Sequence, residues 1–224
     1  MKRKNIEKEK LPRDSIGIFN LENNSLHKIA NVKSYKLPKK WSGFLAYTYD
    51  KTPLEQNNKL KDSINSEKGY PLIIRNLKTN KEDTIPFVTN YTFAKEGMVL
   101  SYSTSGLKDS INPGIYIKNL KKNSNKQIHL SHEKTKYFKL NLSNSGDKLA
   151  FVKDADSTKT YQRPYELYLW DSSKKNSKLI LDMDSSPDGY KVSPYGDIKF
   201  SKNESKLYFG LGLPEIVQDT LLLD

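Results

Sequence analysis

The stretch Ile16-Gly-Ile-Phe-Asn-Leu21 recurs three more times along the chain, and this recurrence decides the fold. The copies are Leu72-Ile-Ile-Arg-Asn-Leu77, Ile115-Tyr-Ile-Lys-Asn-Leu120 and, in altered form, Leu167-Tyr-Leu-Trp-Asp171. Each copy continues through a polar turn into a second short apolar segment, at residues 26–29, 84–85, 127–130 and 179–181. Short runs that alternate apolar and polar residues around a polar turn predict a β-hairpin. The sequence therefore predicts four hairpins in one frame.

A second recurring element, a strand, a small polar turn and another strand, follows each hairpin. Its copies span residues 35–47, 91–102, 138–151 and 198–209. In the third copy, Gly146 can adopt the positive φ of a tight turn, and the side chains of Ser143, Asn144 and Asp147 can bond to turn amides. Turn residues of this kind are expected to fix the register of the strands they join.

The spacing of the repeats points to propeller blades. The residues Asn20, Asn76, Asn119 and Trp170 of the four hairpins lie 56, 43 and 51 residues apart, and a four-stranded blade takes about 40 to 50 residues. A solenoid would need shorter and more regular repeats, and a two-sheet sandwich would not repeat the same pair of hairpins four times. We therefore predict an all-β fold, a partial β-propeller of about four blades of four-stranded antiparallel sheet.

The predicted organisation has three parts. A charged N-terminal segment (1–13) precedes a propeller segment (14–212) with blades at approximately 14–50, 70–106, 113–157 and 164–212, and a truncated continuation (213–224) follows. Because the last copy ends near Gly210 and is followed by an apolar run with nothing to pack against, we expect a segment of a longer protein, half of a seven- or eight-bladed ring. Such an unclosed ring should expose an apolar sheet face and an open strand edge.

Composition excludes several classes of function. The net charge of +12 comes from 34 lysines and only four scattered arginines, Arg3, Arg13, Arg75 and Arg163. Arginine is the preferred residue for bidentate phosphate and base contacts, so we expect no nucleic-acid partner. No run of 18 apolar residues is present, which excludes a membrane-spanning helix, and no apolar stretch follows the basic N-terminus as a signal peptide would require. The absence of cysteine excludes disulfides and thiolate chemistry.

Two groups of polar residues are candidates for a metal site. His129 and His132 lie three apart at a strand end, where alternation sends them to opposite faces, so we interpret them as surface histidines. The acidic residues form two loop patches, with Asp154 and Asp156 in the first and Asp182, Asp184 and Asp188 in the second. The glycine and terminal glutamate of a calcium loop are missing from the first patch, so solvated turns explain both patches better. We expect no metal site and no cofactor.

Aromatic residues gather near the fourth hairpin, where they could line a peptide groove or pack between blades. The group comprises Tyr161, Tyr165, Tyr168, Trp170 and Tyr190. Strand alternation places Tyr165, Leu167 and Leu169 on one face and Glu166, Tyr168 and Trp170 on the other. We favour packing between blades over a binding groove for these side chains.

Several of these stretches resemble a known family. Asp14-Ser-Ile-Gly-Ile-Phe-Asn-Leu21, Val32-Lys-Ser-Tyr-Lys-Leu-Pro38, Gly43-Phe-Leu-Ala-Tyr47, Leu72-Ile-Ile-Arg-Asn-Leu77 and Tyr165-Glu-Leu-Tyr-Leu-Trp170 resemble the N-terminal propeller of bacterial serine peptidases of the prolyl oligopeptidase family. The Ser143–Phe151 element is similar to the repeat of TolB-like propellers. The resemblance covers nearly the whole chain, although propeller repeats serve many unrelated functions.

The resemblance implies that an α/β-hydrolase domain follows in the parent chain and carries a Ser, Asp, His triad. The pattern Gly-x-Ser-x-Gly is absent from the 224 residues, so we expect no catalytic residue here, and the sequence names no binding residue. The expected role is a non-catalytic propeller that restricts peptide access to the hydrolase domain of an exported, periplasmic parent. The alternative is a TolB-like propeller scaffold for protein–protein binding.

Overall fold

The protein is built from β-strands alone in the part of the chain that the structure describes. The structure, a computed structural model, describes residues 14–49, 68–132, 134–154, 163–187 and 189–214. The strands are β1 (Ile16–Asn20), β2 (Ser25–Ile29), β3 (Val32–Lys36), β4 (Phe44–Tyr49), β5 (Tyr70–Asn76), β6 (Glu82–Phe93), β7 (Val99–Thr104), β8 (Gly114–Asn119), β9 (Ser124–Leu130), β10 (Lys136–Leu142), β11 (Lys148–Asp154), β12 (Tyr165–Asp171), β13 (Lys178–Leu181), β14 (Lys191–Val192), β15 (Lys199–Phe200), β16 (Leu207–Tyr208) and β17 (Leu211–Gly212). The predicted segment 1–13 and residues 215–224 of the predicted continuation lie outside the described residues.

All four predicted hairpins are present and antiparallel. They are β1–β2, β5–β6, β8–β9 and β12–β13. The second recurring element is confirmed as well, in β3–β4, β6–β7, β10–β11 and β15–β16. Gly146 has a φ of 85°, as the turn between β10 and β11 requires. The Ser143 hydroxyl accepts a hydrogen bond from the amide of Lys148 at 3.2 Å.

A repeated hydrogen bond from an Asn or Asp side chain explains why the four hairpins turn at equivalent positions of the sequence repeat. The side-chain Oδ1 atoms of Asn20, Asn76, Asn119 and Asp171 accept hydrogen bonds from amides two or three residues further on, at 2.8 to 2.9 Å. Asn and Asp favour turns because they can make this bond. The fourth equivalent of the three asparagines is therefore Asp171, one residue after the predicted Trp170.

The hydrogen-bonded sheets are offset by two strands from the predicted blade ranges. Each sheet starts with the strand-turn-strand element of one repeat and ends with the hairpin of the next: β3-β4-β5-β6, β6-β7-β8-β9 and β10-β11-β12-β13. The long strand β6 is the last strand of the first sheet and the first strand of the second, with Phe87 at a φ of 49° between the two parts. A sequence repeat reveals a period but not the point where a sheet begins, which accounts for the offset.

Successive sheets pack face to face. The clusters of buried side chains lie between β1–β2 and the first sheet, between the first and second sheets, between the second and third, and between the third and β14–β17. Strand β11 shows the pattern: Leu149 and Phe151 contact the preceding sheet, while Ala150 and Val152 contact the following one. All four side chains are fully buried. This stack of sheets is the architecture of a partial β-propeller.

Three sheets are complete and two are half-sheets. Among the described residues, the first hairpin β1–β2 pairs with no other strand, and β14–β17 and β15–β16 form a second hairpin at the other end of the stack. Phe19 and Leu26, on the outward face of β1–β2, are 51% and 69% exposed, and Tyr208 on β16 is 58% exposed. The expected exposed apolar face and open strand edge are thus present in the described residues.

Replacing Gly146 by Ala should destabilise the protein by roughly 1–3 kcal/mol. A Cβ atom there would meet the Cβ of Val99 at 2.9 Å and that of Ala94 at 3.1 Å, in addition to the backbone strain. Gly43→Ala is the matched control, because Gly43 also has a positive φ but its Cβ would meet nothing within 4 Å. Urea unfolding of both variants measures the difference, and equal losses of stability would contradict the close packing of this turn.

Candidate functional site

The connections of the antiparallel sheets fall at two opposite ends of the stack. One end, the turn end, carries the short turns within the hairpins. The other end, the loop end, carries the loop from the second to the third strand of each sheet and the links between sheets. Ser105, after β7, donates its amide proton to Phe87 in the link within β6, at 3.1 Å. The amide of Ser131 likewise donates to the carbonyl oxygen of Pro113 at 3.2 Å, which places the link after β9 beside the loop between β7 and β8.

The turn end is closed by hydrogen bonds from one sheet to the next. The amides of Glu96 and Gly97 donate to the carbonyl oxygen of Asn144, at 2.8 and 3.2 Å. In the next sheet the carboxylate of Glu204 accepts bonds from the amide and hydroxyl of Ser145, at 2.6 and 2.8 Å. The bonds to Ser145 hold the pKa of Glu204 below its ordinary value, although burial opposes them. These contacts join successive sheets at the turn end.

The loop end contains a polar cleft of about 770 Å³ beside the second sheet. Its walls are the β7–β8 loop and the β9–β10 link. The lining residues are Ser105, Gly106, Leu107, Lys108, Asp109, Ile111, Asn112, Pro113, Ser131, His132, Lys134 and Thr135. A volume between 300 and 1,000 Å³ is typical of ligand pockets in proteins.

The β7–β8 wall of the cleft is held in shape by its own backbone. Leu107 and Ile111 form an isolated β-bridge, and both Gly106 and Asp109 adopt positive φ values, 83° and 63°. A non-glycine residue in this conformation costs energy and needs surrounding structure to hold it. The hydroxyl of Ser105 donates to the carbonyl oxygen of Lys68 at 2.6 Å and ties this wall to the first sheet.

The cleft offers binding groups rather than a catalytic arrangement. Lys108, Asp109, His132 and Lys134 are exposed at its rim, and Ser105 and Thr135 add hydroxyl groups to its lining. Within the described ranges, no three His, Asp or Glu side chains are grouped as a metal site would require. Hydrogen-bond donors and charges around an open cleft can recognise a polar chain such as a peptide.

His129 and His132, which lie three residues apart, have different surroundings in the structure. His132 is exposed, as predicted, but the prediction of a surface histidine is wrong for His129. The ring of His129 packs edge-on against Tyr137, Phe151 and Tyr168, with centroids 4.6 to 6.0 Å away. Burial, assisted by the charge of Lys153, lowers the pKa of His129 to about 4. A β-bulge lies just before His129 in β9, between the residues that pair with Ile115 and Tyr116. The alternation of apolar and polar residues in the sequence does not reveal this bulge.

His129 forms a hydrogen bond with a serine that the sequence did not single out. Its Nδ1 atom lies 2.8 Å from the Oγ atom of Ser177, and the amide of Ser177 donates to Ile128 at 2.8 Å. A catalytic pair would need a third group that orients the histidine. Among the hydrogen bonds of the described residues, none joins a carboxylate to this ring. The pair therefore links the outer strand of the second sheet to the β12–β13 turn of the third.

The interpretation of the acidic patches as solvated turns is wrong for Asp154. Its side chain is only 2% exposed, and its Oδ2 atom accepts hydrogen bonds from Nε and Nη2 of Arg163, at 2.9 and 2.5 Å. Asp182 does lie in a turn, where its carboxylate accepts bonds from the amide and hydroxyl of Ser185, which hold its pKa below the ordinary value. Asp156 and Asp188 lie outside the described residues.

The aromatic group near the fourth hairpin packs between sheets, as predicted. Tyr165, Leu167 and Leu169 contact the following half-sheet, while Tyr168 and Trp170 contact the preceding sheet. Tyr190 is 44% exposed and does not join them, and Tyr161 lies outside the described residues.

Comparison with solved structures returns several proteins, one of them a β-propeller domain by name. The chain is similar to the β-propeller domain of the Trilobed protease from Pyrococcus furiosus, with 12% identity, a TM-score of 0.47 and coverage of 80% of this chain and 51% of that one. It is also similar to an oligogalacturonate lyase in complex with manganese, with 12% identity, a TM-score of 0.48 and coverage of 84% and 51%. For the acylaminoacyl peptidase of Pyrococcus horikoshii the values are 12%, 0.43, 71% and 26%.

The chain spans about half the length of the first two of these structures. No model of a known protein family and no curated protein sequence matches it. Because the TM-scores lie below 0.5, the description of the fold rests on the packing of the sheets described above. The class that these sheets define is an all-β protein with the architecture of a partial propeller.

Replacing Asp154 by Asn should destabilise the protein by roughly 1–3 kcal/mol, because it removes the charge of a buried carboxylate that accepts hydrogen bonds from Arg163. Glu96→Gln is the matched control: it breaks an ion pair with Lys40 of 2.7 Å whose two side chains are about half exposed, and we expect little change. Thermal unfolding at neutral pH compares the two variants. Similar losses of stability would contradict the structural role of Asp154.

The stability of the protein should fall as the pH falls from about 6.5 to about 4, in part because of His129. Its pKa in the folded protein lies below that of an unfolded histidine, so the unfolded state takes up the proton first. His129→Gln should reduce the dependence of the unfolding midpoint on pH across this window, measured by denaturant titrations. His132→Gln, which alters an exposed side chain, should leave the dependence unchanged, and the same result for both variants would contradict the assignment.

Proposed function

We propose that the chain is the non-catalytic propeller portion of a serine peptidase similar to the prolyl oligopeptidase family. Its role is to restrict the access of peptides to an α/β-hydrolase domain of the same parent chain. The parent is proposed to be exported to the periplasm.

The observation that carries the proposal is the position of the residues that show the resemblance. The stretches quoted for the family form β1, β3, β4, β5 and β12, which belong to three layers of the stack: the first half-sheet, the first sheet and the third sheet. The resemblance therefore follows the parts of the chain that build the propeller, rather than loops that could occur in any fold. Because one fold can serve many functions, the peptidase role is tested on the parent protein.

The loop end supports a role in selecting peptides. The cleft formed by the β7–β8 loop and the β9–β10 link is large enough for a short peptide segment, and it combines cationic, anionic and hydroxyl groups. The turn end is closed by contacts between sheets, such as those of Asn144 and Glu204. A peptide is therefore expected to approach the stack from the loop end.

The first test is the reading frame beyond Asp224 and the activity of the parent. A downstream Gly-x-Ser-x-Gly followed by Asp and His supports the proposal, as does hydrolysis of short peptides that a serine-directed inhibitor abolishes. The isolated 224-residue chain should not hydrolyse them. A stop codon after one or two further blades, or a parent without inhibitor-sensitive hydrolysis, would overturn the peptidase role and favour a binding scaffold.

A pair of variants tests the filtering role in the parent. Leu107→Trp adds bulk to the wall of the cleft and should lower kcat/KM for long peptides more than for dipeptides. Leu77→Trp is the control, because Leu77 is an exposed leucine at the turn end. If Leu107→Trp lowers kcat/KM equally for long peptides and for dipeptides, the cleft does not select peptides by length. The same conclusion follows if Leu77→Trp lowers kcat/KM more for long peptides than for dipeptides.

A further inference from the structure

Three successive turns at the turn end carry a concentration of positive charge. They lie within the hairpins β5–β6, β8–β9 and β12–β13, which end the first, second and third sheets, and they span residues 77–81, 120–126 and 172–178. The three turns contain two, three and three lysines, and no aspartate or glutamate. All of these lysines are exposed. We call the three turns together the lysine rim.

The carboxylates that flank the lysine rim in the sequence are already used by the fold. Glu82 accepts a hydrogen bond from Arg75 at 3.0 Å, and Asp83 forms an ion pair with Lys118 of the neighbouring sheet. The carboxylate of Asp171 accepts a hydrogen bond within its own turn. Among the ion pairs of the described residues, none includes a lysine of the rim. Ion pairs within this part of the chain therefore leave the charge of the rim uncompensated.

Contacts between sheets join the three turns into one surface. The Nζ atom of Lys126 donates to the carbonyl oxygen of Lys174 at 2.9 Å, which holds the second turn against the third. The ion pair of Lys118 with Asp83 links β8 to β6, two residues away from the second and first turns. One partner can therefore contact all three turns at once.

The type of cation in the lysine rim favours a surface with many separate negative charges over a single anionic group. Lysine is a point charge on a flexible stem, whereas arginine forms a rigid fork that binds one carboxylate or phosphate through two bonds. The rim contains no arginine. Interfaces between proteins are enriched in arginine and depleted in lysine, while clusters of about four to eight basic residues are attracted to the anionic headgroups of a bilayer.

Exposed leucines accompany the lysines at this end of the stack. Leu77, the first residue of the rim, is 39% exposed, and Leu21, at the equivalent position of the first hairpin, is 86% exposed. Apolar side chains beside cations strengthen binding to a bilayer, because they enter the boundary between the headgroups and the acyl chains. The phosphate backbone of a nucleic acid offers no such apolar layer. The combination of lysine and leucine therefore favours a bilayer.

We propose that the lysine rim is a docking surface for an anionic lipid bilayer. The lysines contact the phosphate-bearing headgroups, and Leu77 and Leu21 enter the layer next to them. The cleft lies at the opposite end of the stack, so a chain bound in this way keeps the cleft in water. This inference goes beyond the proposed peptidase role and does not rest on it.

Sedimentation with lipid vesicles is the first test. The chain should bind vesicles made of equal parts of phosphatidylcholine and phosphatidylglycerol, but not vesicles of phosphatidylcholine alone. Added salt should weaken the binding because it screens the charges. Equal binding to both kinds of vesicle, or binding to neither, would overturn the proposal. Tighter binding to double-stranded DNA than to the anionic vesicles at the same salt concentration would overturn the choice of a bilayer and indicate a nucleic-acid partner.

Charge reversal tests the position of the surface. Lys121→Glu/Lys175→Glu should lower the partition coefficient onto anionic vesicles at least roughly tenfold, because two attracted charges become repelled ones. Lys108→Glu/Lys134→Glu is the matched control: it changes the net charge equally, but at the loop end, and should reduce binding much less. Circular dichroism checks that both variants are folded. If the two variants lose the same amount of binding, net charge and not the lysine rim is responsible, and the proposal fails.

A tryptophan reporter tests the orientation of the chain on the bilayer. The fluorescence of Leu77→Trp should shift to shorter wavelength when anionic vesicles are added, because the new ring leaves water. Leu130→Trp is the control, since Leu130 is 68% exposed at the end of β9, on the loop end. The native chain, with Trp41 and Trp170, gives the background for both. A similar shift for both variants, or for neither, would overturn the assignment of the turn end as the docking face.

Discussion

The structure depends on the burial of both faces of each complete sheet. In a sheet with one wet face, alternate residues along a strand are polar, but here adjacent residues of β4, β5, β8 and β11 are buried in different interfaces. Leu149 and Ala150, for example, belong to different clusters although they are neighbours in the sequence. The side chains of each of these strands therefore pack against two neighbouring sheets, one on each face. A stack built in this way has no single core, and its stability is distributed over successive interfaces.

Tyrosine suits these interfaces because it fills apolar space and still satisfies a polar group. The ring of Tyr102 stacks on that of Tyr116, with centroids 5.2 Å apart, and its hydroxyl accepts a hydrogen bond from Asn125 at 2.7 Å. Tyr47, fully buried, donates to the carboxylate of Glu82 at 2.8 Å. Burial raises the pKa of both hydroxyls, so they remain protonated donors or acceptors at neutral pH. The aromatic content of the chain is thus used mainly in packing and in bonds between strands.

The sequence predicted the hairpins and the orientation of buried residues well, because both depend on local signals. The polar turns and the glycine at 146 identify the hairpins, and period-two alternation places Tyr165 and Trp170 on opposite faces. The strand at which each sheet begins was not predictable, because a sequence repeat has no marked start. The burial of His129 and the pairing of Asp154 with Arg163 depend on a bulge and on contacts across a loop, and neither leaves a pattern in the sequence. The cleft at the loop end is formed by two loops whose residues are individually ordinary.

The measurement that tests the stacked arrangement most directly is a set of nuclear Overhauser contacts in the isotope-labelled protein. The structure predicts contacts from the ring of Phe151 to His129 and Tyr168, and contacts from its neighbour Val152 to Val192 in the last half-sheet. The two adjacent side chains should share few neighbours. Contacts from both Phe151 and Val152 to a single set of residues would indicate a two-layer sandwich and would contradict the propeller.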